Sequence, residues 1–98
     1  MTYRVKFPTE SIKDKFSGAL KKISDKKLQE AIMYKTTDLA DNPRPYISRK
    51  LTAPARVYTY TAHYRIRIGD YRVLYDIDDK NKIVWVYILR KRSENTYK

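Results

Sequence analysis

Three arginines placed around a tight turn are the residues of this chain best suited to chemistry. Arg65 and Arg67 alternate with Tyr64, Ile66 and Ile68, and Arg72 follows the dipeptide Gly69-Asp70. Glycine at the first central position of a two-residue turn suits a type II′ hairpin. In that hairpin Ile68 faces Tyr71, Arg67 faces Arg72 and Ile66 faces Val73. Strand parity then puts Tyr64, Ile66, Ile68, Tyr71, Val73 and Tyr75 on one face and the arginines on the other. Like charges directly across a sheet repel and destabilise it. A chain that accepts this repulsion is suited to holding a dense anion, and guanidinium forks match phosphate oxygens. The competing reading pairs Arg72 with Asp76, which has the same parity.

Other groups carry weaker signals. His63, the only histidine, shares parity with Arg65 and Arg67. An imidazole titrates near neutrality and can move protons, although a lone histidine entering a strand is more often a surface residue. Trp85, Tyr64, Tyr71, Tyr75 and Tyr87 read as core or sheet-edge packing. Tyr58 and Tyr60 lie near Arg56 in a long connection, where exposed rings are able to stack on bases.

The elements that must position these groups follow from periodicity. Tyr3 to Phe7 alternates as a first strand, and Pro8 stops it. Thr9 or Ser11 caps a helix carrying Ile12, Phe16, Ala19, Leu20 and Ile23 at helical spacing. Ser24-Asp25 opens a second helix with Leu28, Ala31, Ile32 and Leu39 on its apolar stripe. Asn42-Pro43 ends it, because the residue before proline is pushed out of helical geometry. Pro43 to Pro54 reads as an irregular basic connection, with Arg56 to Thr61 either a short extra strand or a loop. The hairpin over 64–77 comes next, then a turn at Asp78 to Asn81. The strand from Lys82 to Leu89 is apolar on both faces and is expected to be central. Arg90 to Lys98 forms a basic tail. The expected architecture is a single α+β domain over residues 1–98. It has β-α-α-β-β-β order, with a helical hairpin on an antiparallel sheet whose other face is open and basic.

Composition narrows the partner. The 98 residues hold 22 Lys+Arg against 11 Asp+Glu, a formal charge of +11. From Asn42 to Gly69 there is no acidic residue, while Arg44, Arg49, Lys50, Arg56, Arg65 and Arg67 all fall there. Such asymmetry points to a polyanion, most often nucleic acid. With no cysteine, disulfides and thiol chemistry are excluded, and the absence fits a reducing compartment. The longest apolar run, Ile83 to Leu89, is too short to span a bilayer. The expectation is a soluble cytoplasmic protein with no membrane partner.

The run Tyr64 to Tyr75, with its segment Arg67-Ile68-Gly69-Asp70-Tyr71-Arg72-Val73, comes after a strand and a helical hairpin. A Val-rich strand and a basic tail ending in Tyr97 follow it. This arrangement resembles the RelE/ParE toxin superfamily across nearly the whole chain, and the Gly-x-Tyr-Arg segment is its most specific part. The resemblance implies a RelE-like, microbial RNase-type fold. It also implies a toxin that enters the ribosomal A site and cleaves messenger RNA there. In that chemistry the 2′-hydroxyl attacks the adjacent phosphate without metal or other cofactor, and a RelB-like antitoxin silences the toxin. ParE-type members share the fold but poison DNA gyrase, and a silent RNA-binding homologue is a third possibility.

Carried over residue by residue, the motif arginine is Arg72, preceded by two basic residues at Arg65 and Arg67. The basic residue after the last strand matches Arg92, with Arg90 as its rival, and the terminal tyrosine matches Tyr97. These form the expected catalytic set. Arg49, Lys50, Arg56, Arg90, Lys91 and Lys98 are the expected RNA contacts. Between Leu51 and Tyr64 the chain is longer than the family pattern. Arginine stays protonated, so neither Arg65 nor Arg67 suits a general base, and no glutamate stands at a matching position.

Overall fold

The computed structural model describes residues 2–92. Along the chain come strand β1 (Arg4–Lys6), helix α1 (Glu10–Lys21), helix α2 (Lys26–Thr37) and a 3₁₀ turn (Asp38–Ala40). Strands β2 (Ser48–Val57), β3 (Tyr60–Ile68), β4 (Tyr71–Asp78) and β5 (Ile83–Lys91) follow. Both helices start on side-chain caps. The Thr9 hydroxyl accepts from the Ile12 N–H at 3.1 Å, and the Asp25 carboxylate accepts from Lys27 and Leu28 at 3.0 and 3.2 Å. These bonds satisfy donors that a helix start leaves free. At the other end of α1 the Gln29 amide donates to the Leu20 carbonyl at 2.9 Å, which ties the two helices into a hairpin. The periodic stripe runs on through the 3₁₀ turn, where Leu39 is fully buried.

The sheet has five strands in the order β1-β5-β4-β3-β2. β5 lies inside it, as its two apolar faces require. The expected α+β, two-layer architecture holds, with three corrections. The sheet is mixed: β1 pairs parallel with β5, while the other neighbours are antiparallel. The helical hairpin between β1 and the later strands provides the long crossover that a parallel pair needs. The stretch read as an irregular connection is also largely strand, since residues 48–57 form β2 and a two-residue turn at Tyr58-Thr59 joins it to β3. Pro54 is tolerated there because β2 is an edge strand. A register shift between Lys50 and Ala55 breaks the alternation that would have revealed the strand.

The main core lies between the helices and one sheet face. Phe16, Ile23, Ile32 and Leu39 meet Ile66, Val73, Tyr75, Val84 and Val86. Tyr75 is fully buried, and its hydroxyl donates to the Pro43 carbonyl at 2.7 Å. The opposite face is not wholly open, which corrects the expectation. The distal half of the β2–β3 hairpin folds over it, so that Val57 and Ala62 close on Leu74 and Tyr87 in a second apolar cluster. A bulge helps: Leu74 pairs with Ile88 but Tyr75 with Val86, which leaves Tyr87 as the extra residue. The arginines hold the end of that face nearest the β3–β4 turn. No helix among the described residues is long and apolar enough to cross a membrane.

Candidate functional site

Strand register brings the arginines together. Arg67 lies directly across from Arg72, and Arg72 directly across from Arg90, which makes one basic rung over three strands. On β2 and β3, Arg49 lies across from Arg65, whose partner on β4 is Leu74 of the second cluster. These side chains therefore belong to the face opposite the helices. Arg92 joins from just beyond β5. Its backbone N–H donates to the Asp70 carbonyl at 2.7 Å, which fastens the end of β5 to the β3–β4 turn. Gly69 makes that turn possible with φ of +60°, and Asp70 keeps a negative φ, the pattern of a type II′ turn.

The cluster is electrostatically frustrated. Burial, followed by repulsion from Arg90, Arg67 and Arg92, holds Arg72 below the usual guanidinium range. Burial, then Arg67, Arg49, Arg72 and Arg92, does the same to Arg65. Both stay protonated at neutral pH, so the shift measures how unwelcome the positive charge is. No ion pair among the described residues relieves it. Asp76, the acid of matching parity, pairs with the His63 ring at 3.2 Å instead of with Arg72. Asp79 pairs with Arg44 at 2.8 Å. Among the described residues Arg65 donates only to the Ile47 carbonyl, at a long 3.4 Å. The Nε of Arg72 is buried with no hydrogen-bond partner. Buried donors are nearly always paired, so an unpaired donor amid repelling guanidiniums suits this place to the oxygens of an anion.

The arrangement does not gather every expected contact. Lys50 pairs with Tyr64, and Lys91 with Tyr71, so both belong to the helix-side parity, away from the arginines. Arg56 stands beyond the β2 register shift, across from Thr61 on the distal hairpin. Tyr97 and Lys98 lie outside the described residues. His63 is on the arginine-bearing face but is held by Asp76. Sequence reasoning missed the structural role of Arg44, which anchors Asp79 and also donates to the Tyr64 hydroxyl at 3.2 Å. Its position between two prolines was the available signal, because prolines fix a loop in place. Among the described residues no group of His, Cys, Asp or Glu is arranged to hold a metal ion.

Comparison with known proteins accords with this geometry. A sequence profile of the ParE toxin of the type II toxin–antitoxin system parDE matches residues 10–96. This chain belongs to the RelE/ParE toxin superfamily. No curated protein sequence matches the toxin closely enough to report. Among solved structures, the archaeal RelE–RelB complex from Pyrococcus horikoshii OT3 contains a chain 28% identical to it, with a TM-score of 0.68 over 94% of this chain and 97% of that one. The RelBE2 toxin–antitoxin complex of Mycobacterium tuberculosis gives 24% identity and a TM-score of 0.65 over 94% and 100%. A double arginine-to-alanine mutant of Escherichia coli RelE toxin in the free state gives 18% and 0.55 over 97% and 88%. The last two likenesses concern the fold alone. The chain is thus a toxin of the toxin–antitoxin class built on the RelE-like fold.

Proposed function

We propose that this toxin is an endoribonuclease that cuts messenger RNA in the ribosomal A site. The observation that carries this reading is the arginine cluster, which has no ion pair among the described residues, with the orphan Nε of Arg72 at its centre. In the reaction the 2′-hydroxyl oxygen bonds to the adjacent phosphorus and the bond from phosphorus to the 5′-oxygen breaks. A cyclic 2′,3′-phosphate and a 5′-hydroxyl result, with the proton lost by the attacking oxygen balanced by one gained at the leaving oxygen. Negative charge builds on the non-bridging oxygens as the phosphorus becomes five-coordinate. Arg67 and Arg72, fixed across one rung, are preorganised to stabilise it, and preorganised charge needs no rearrangement during reaction. Arg65 adds a further positive charge from the neighbouring rung, and Arg92 acts electrostatically beside the leaving oxygen. Tyr97 is assigned the orienting of the base or the attacking sugar. The small ribosomal subunit supplies alignment of the message, a large part of such catalysis, so free RNA is a poor substrate. Arg49 and Arg90 extend the grip along the strand.

A RelB-like antitoxin is the proposed partner. The neighbours from Pyrococcus horikoshii and Mycobacterium tuberculosis were both solved as toxin–antitoxin complexes. An acidic or amphipathic segment laid over the basic face would neutralise it. The cytoplasm is the compartment where ribosomes, message and antitoxin meet.

The ParE description of the matching profile favours a second reading, in which the protein poisons DNA gyrase without nuclease chemistry. One experiment separates the two. In a translating extract, mapped 5′ ends of message are expected to show new cuts with the wild type. Arg72→Ala is expected to reduce them by at least about a hundredfold, the usual loss on removing one charge-stabilising donor. DNA supercoiling by gyrase is expected to stay unchanged. If Arg72→Ala cuts as well as wild type, or supercoiling fails while message survives, the nuclease reading is wrong. Growth arrest on induction separates either toxin from a silent homologue.

A further inference from the structure

Helix α1 and the end of β5 frame a cleft of about 520 Å³. Lys15, Gly18 and Lys22 come from one stripe of α1, Leu89 and Lys91 from β5, and Tyr58 from the tip of the β2–β3 hairpin. The volume falls within the range of small-molecule pockets. Half-buried Ala19 and buried Leu89 give the cleft an apolar floor, while the three lysines are exposed at its rim. Among the described residues no carboxylate lines it, and none of the three lysines takes part in an ion pair. Two of its residues cost the fold stability. Gly18 stands in the interior of α1, where glycine is a poor helix former, yet a Cβ there would meet nothing within 4 Å. Close packing therefore does not demand it. Tyr58 takes a φ of +57° at the first central position of a two-residue turn, a place that favours glycine. Its ring lies 5.7 Å from the Lys15 ammonium and holds that charge at the cleft. Local rules broken with no structural return point to function.

We infer that this cleft binds a nucleoside di- or triphosphate. The inference is independent of the nuclease reading, and either can fail alone. Three ammoniums around one small space call for a ligand whose negative charges are equally concentrated. A di- or triphosphate carries about three or four of them in a short chain, and lysine suits phosphate as a mobile point charge. An acidic peptide presents carboxylates on one face only about every 7 Å of extended chain, and RNA carries one charge per nucleotide. The apolar floor takes the flat base, and Gly18 lets it come close to the helix backbone. The cleft is separate from the arginines. Lys91 has the helix-side parity, whereas Arg72 and Arg90 belong to the other face and do not line the cleft.

The probe is adenosine diphosphate carrying a fluorescent ribose tag, titrated against the full-length toxin and followed by anisotropy. Saturable binding is expected, displaced by untagged adenosine or guanosine diphosphate but not by adenosine. Lys22→Ala and Lys91→Ala are each expected to weaken it about fivefold or more, the loss of one charge-assisted contact. Gly18→Leu is expected to raise the melting temperature, because leucine is the better helix former, and to weaken binding about tenfold by filling the cleft. Those opposite signs separate a blocked site from a damaged fold. Arg72→Ala is expected to leave binding unchanged. Absence of saturable binding overturns the proposal, as does binding that needs Arg72 and ignores the lysines. Equal displacement by adenosine overturns it too. If an oligoribonucleotide or an acidic peptide depends on Lys22 and Lys91 while the diphosphate does not, the cleft serves that macromolecule and the proposal falls.

Discussion

Arg67 and Arg72 are placed where a sheet would rather have neutral residues. Each guanidinium opposes the other across the ladder, and burial adds to the penalty on Arg72. Stability and activity are therefore expected to move in opposite directions. Arg67→Thr, which keeps a good strand former, is expected to raise stability by about 0.5 kcal/mol in thermal unfolding and to lower message cleavage more than tenfold. If stability and cleavage fall together, Arg67 is a packing residue. The rung was legible in the sequence because Gly69-Asp70 fixes the turn and a tight turn fixes the register. Arg90 was harder to place: the bulge at Tyr87 offsets the count along β5, so parity alone could not bring it across from Arg72. Trp85 was read as packing and Tyr60 as a ring able to stack on bases; both are half-buried, since a ring's openness depends on what the distal hairpin leaves uncovered.

Among the elements, the β3–β4 turn and the 44–79 anchor set the geometry. Gly69 has φ of +60°, and a Cβ there would come within 3.2 Å of the Leu28 side chain. Gly69→Ala is expected to destabilise the toxin by about 1–2 kcal/mol in denaturant unfolding, chiefly through the backbone. The same strain is expected to loosen the Arg67–Arg72 rung and slow cleavage. The anchor makes a pH prediction. Hydrogen bonds from Arg44 and then Tyr3 hold the Asp79 carboxyl at about 2, against an ordinary 3.8. A carboxylate with a depressed value stabilises the fold above the ordinary value and loses that contribution as pH falls toward the depressed one. Melting temperature is expected to drop more steeply from about pH 4 to pH 2 in the wild type than in Asp79→Asn. Equal slopes would show that the anchor carries no stability. The caps at Thr9 and Asp25, the helical stripe and the interior position of β5 were all visible in residue order. β2 was not, because its register slip and Pro54 imitate a loop.

At the scale of the molecule, a net charge of +11 includes the Arg67–Arg72–Arg90 rung on the sheet face opposite the helices. Affinity for single-stranded RNA should fall by about 0.7 log unit per log unit of salt for each phosphate neutralised. For three to six contacts, titration at several salt concentrations is expected to give a slope of about −2 to −4. A flat response would mean that the cationic face is not the contact surface. The two-layer plan was readable from the order of periodic segments. The second apolar cluster was not, since it forms only when a long hairpin curls back, and no local pattern encodes that curl.

The position of β5 has a consequence for synthesis. It contributes to both apolar clusters and, among the described residues, is the only strand paired with β1, so β1 waits for β5. Contacts of such high sequence separation form late. A nascent chain whose β5 is still inside the exit tunnel has neither a closed core nor the Arg72–Arg90 rung. Under the nuclease reading, the toxin therefore gains its cutting surface only when β5 has joined the sheet, and whatever keeps β5 from pairing keeps the toxin silent.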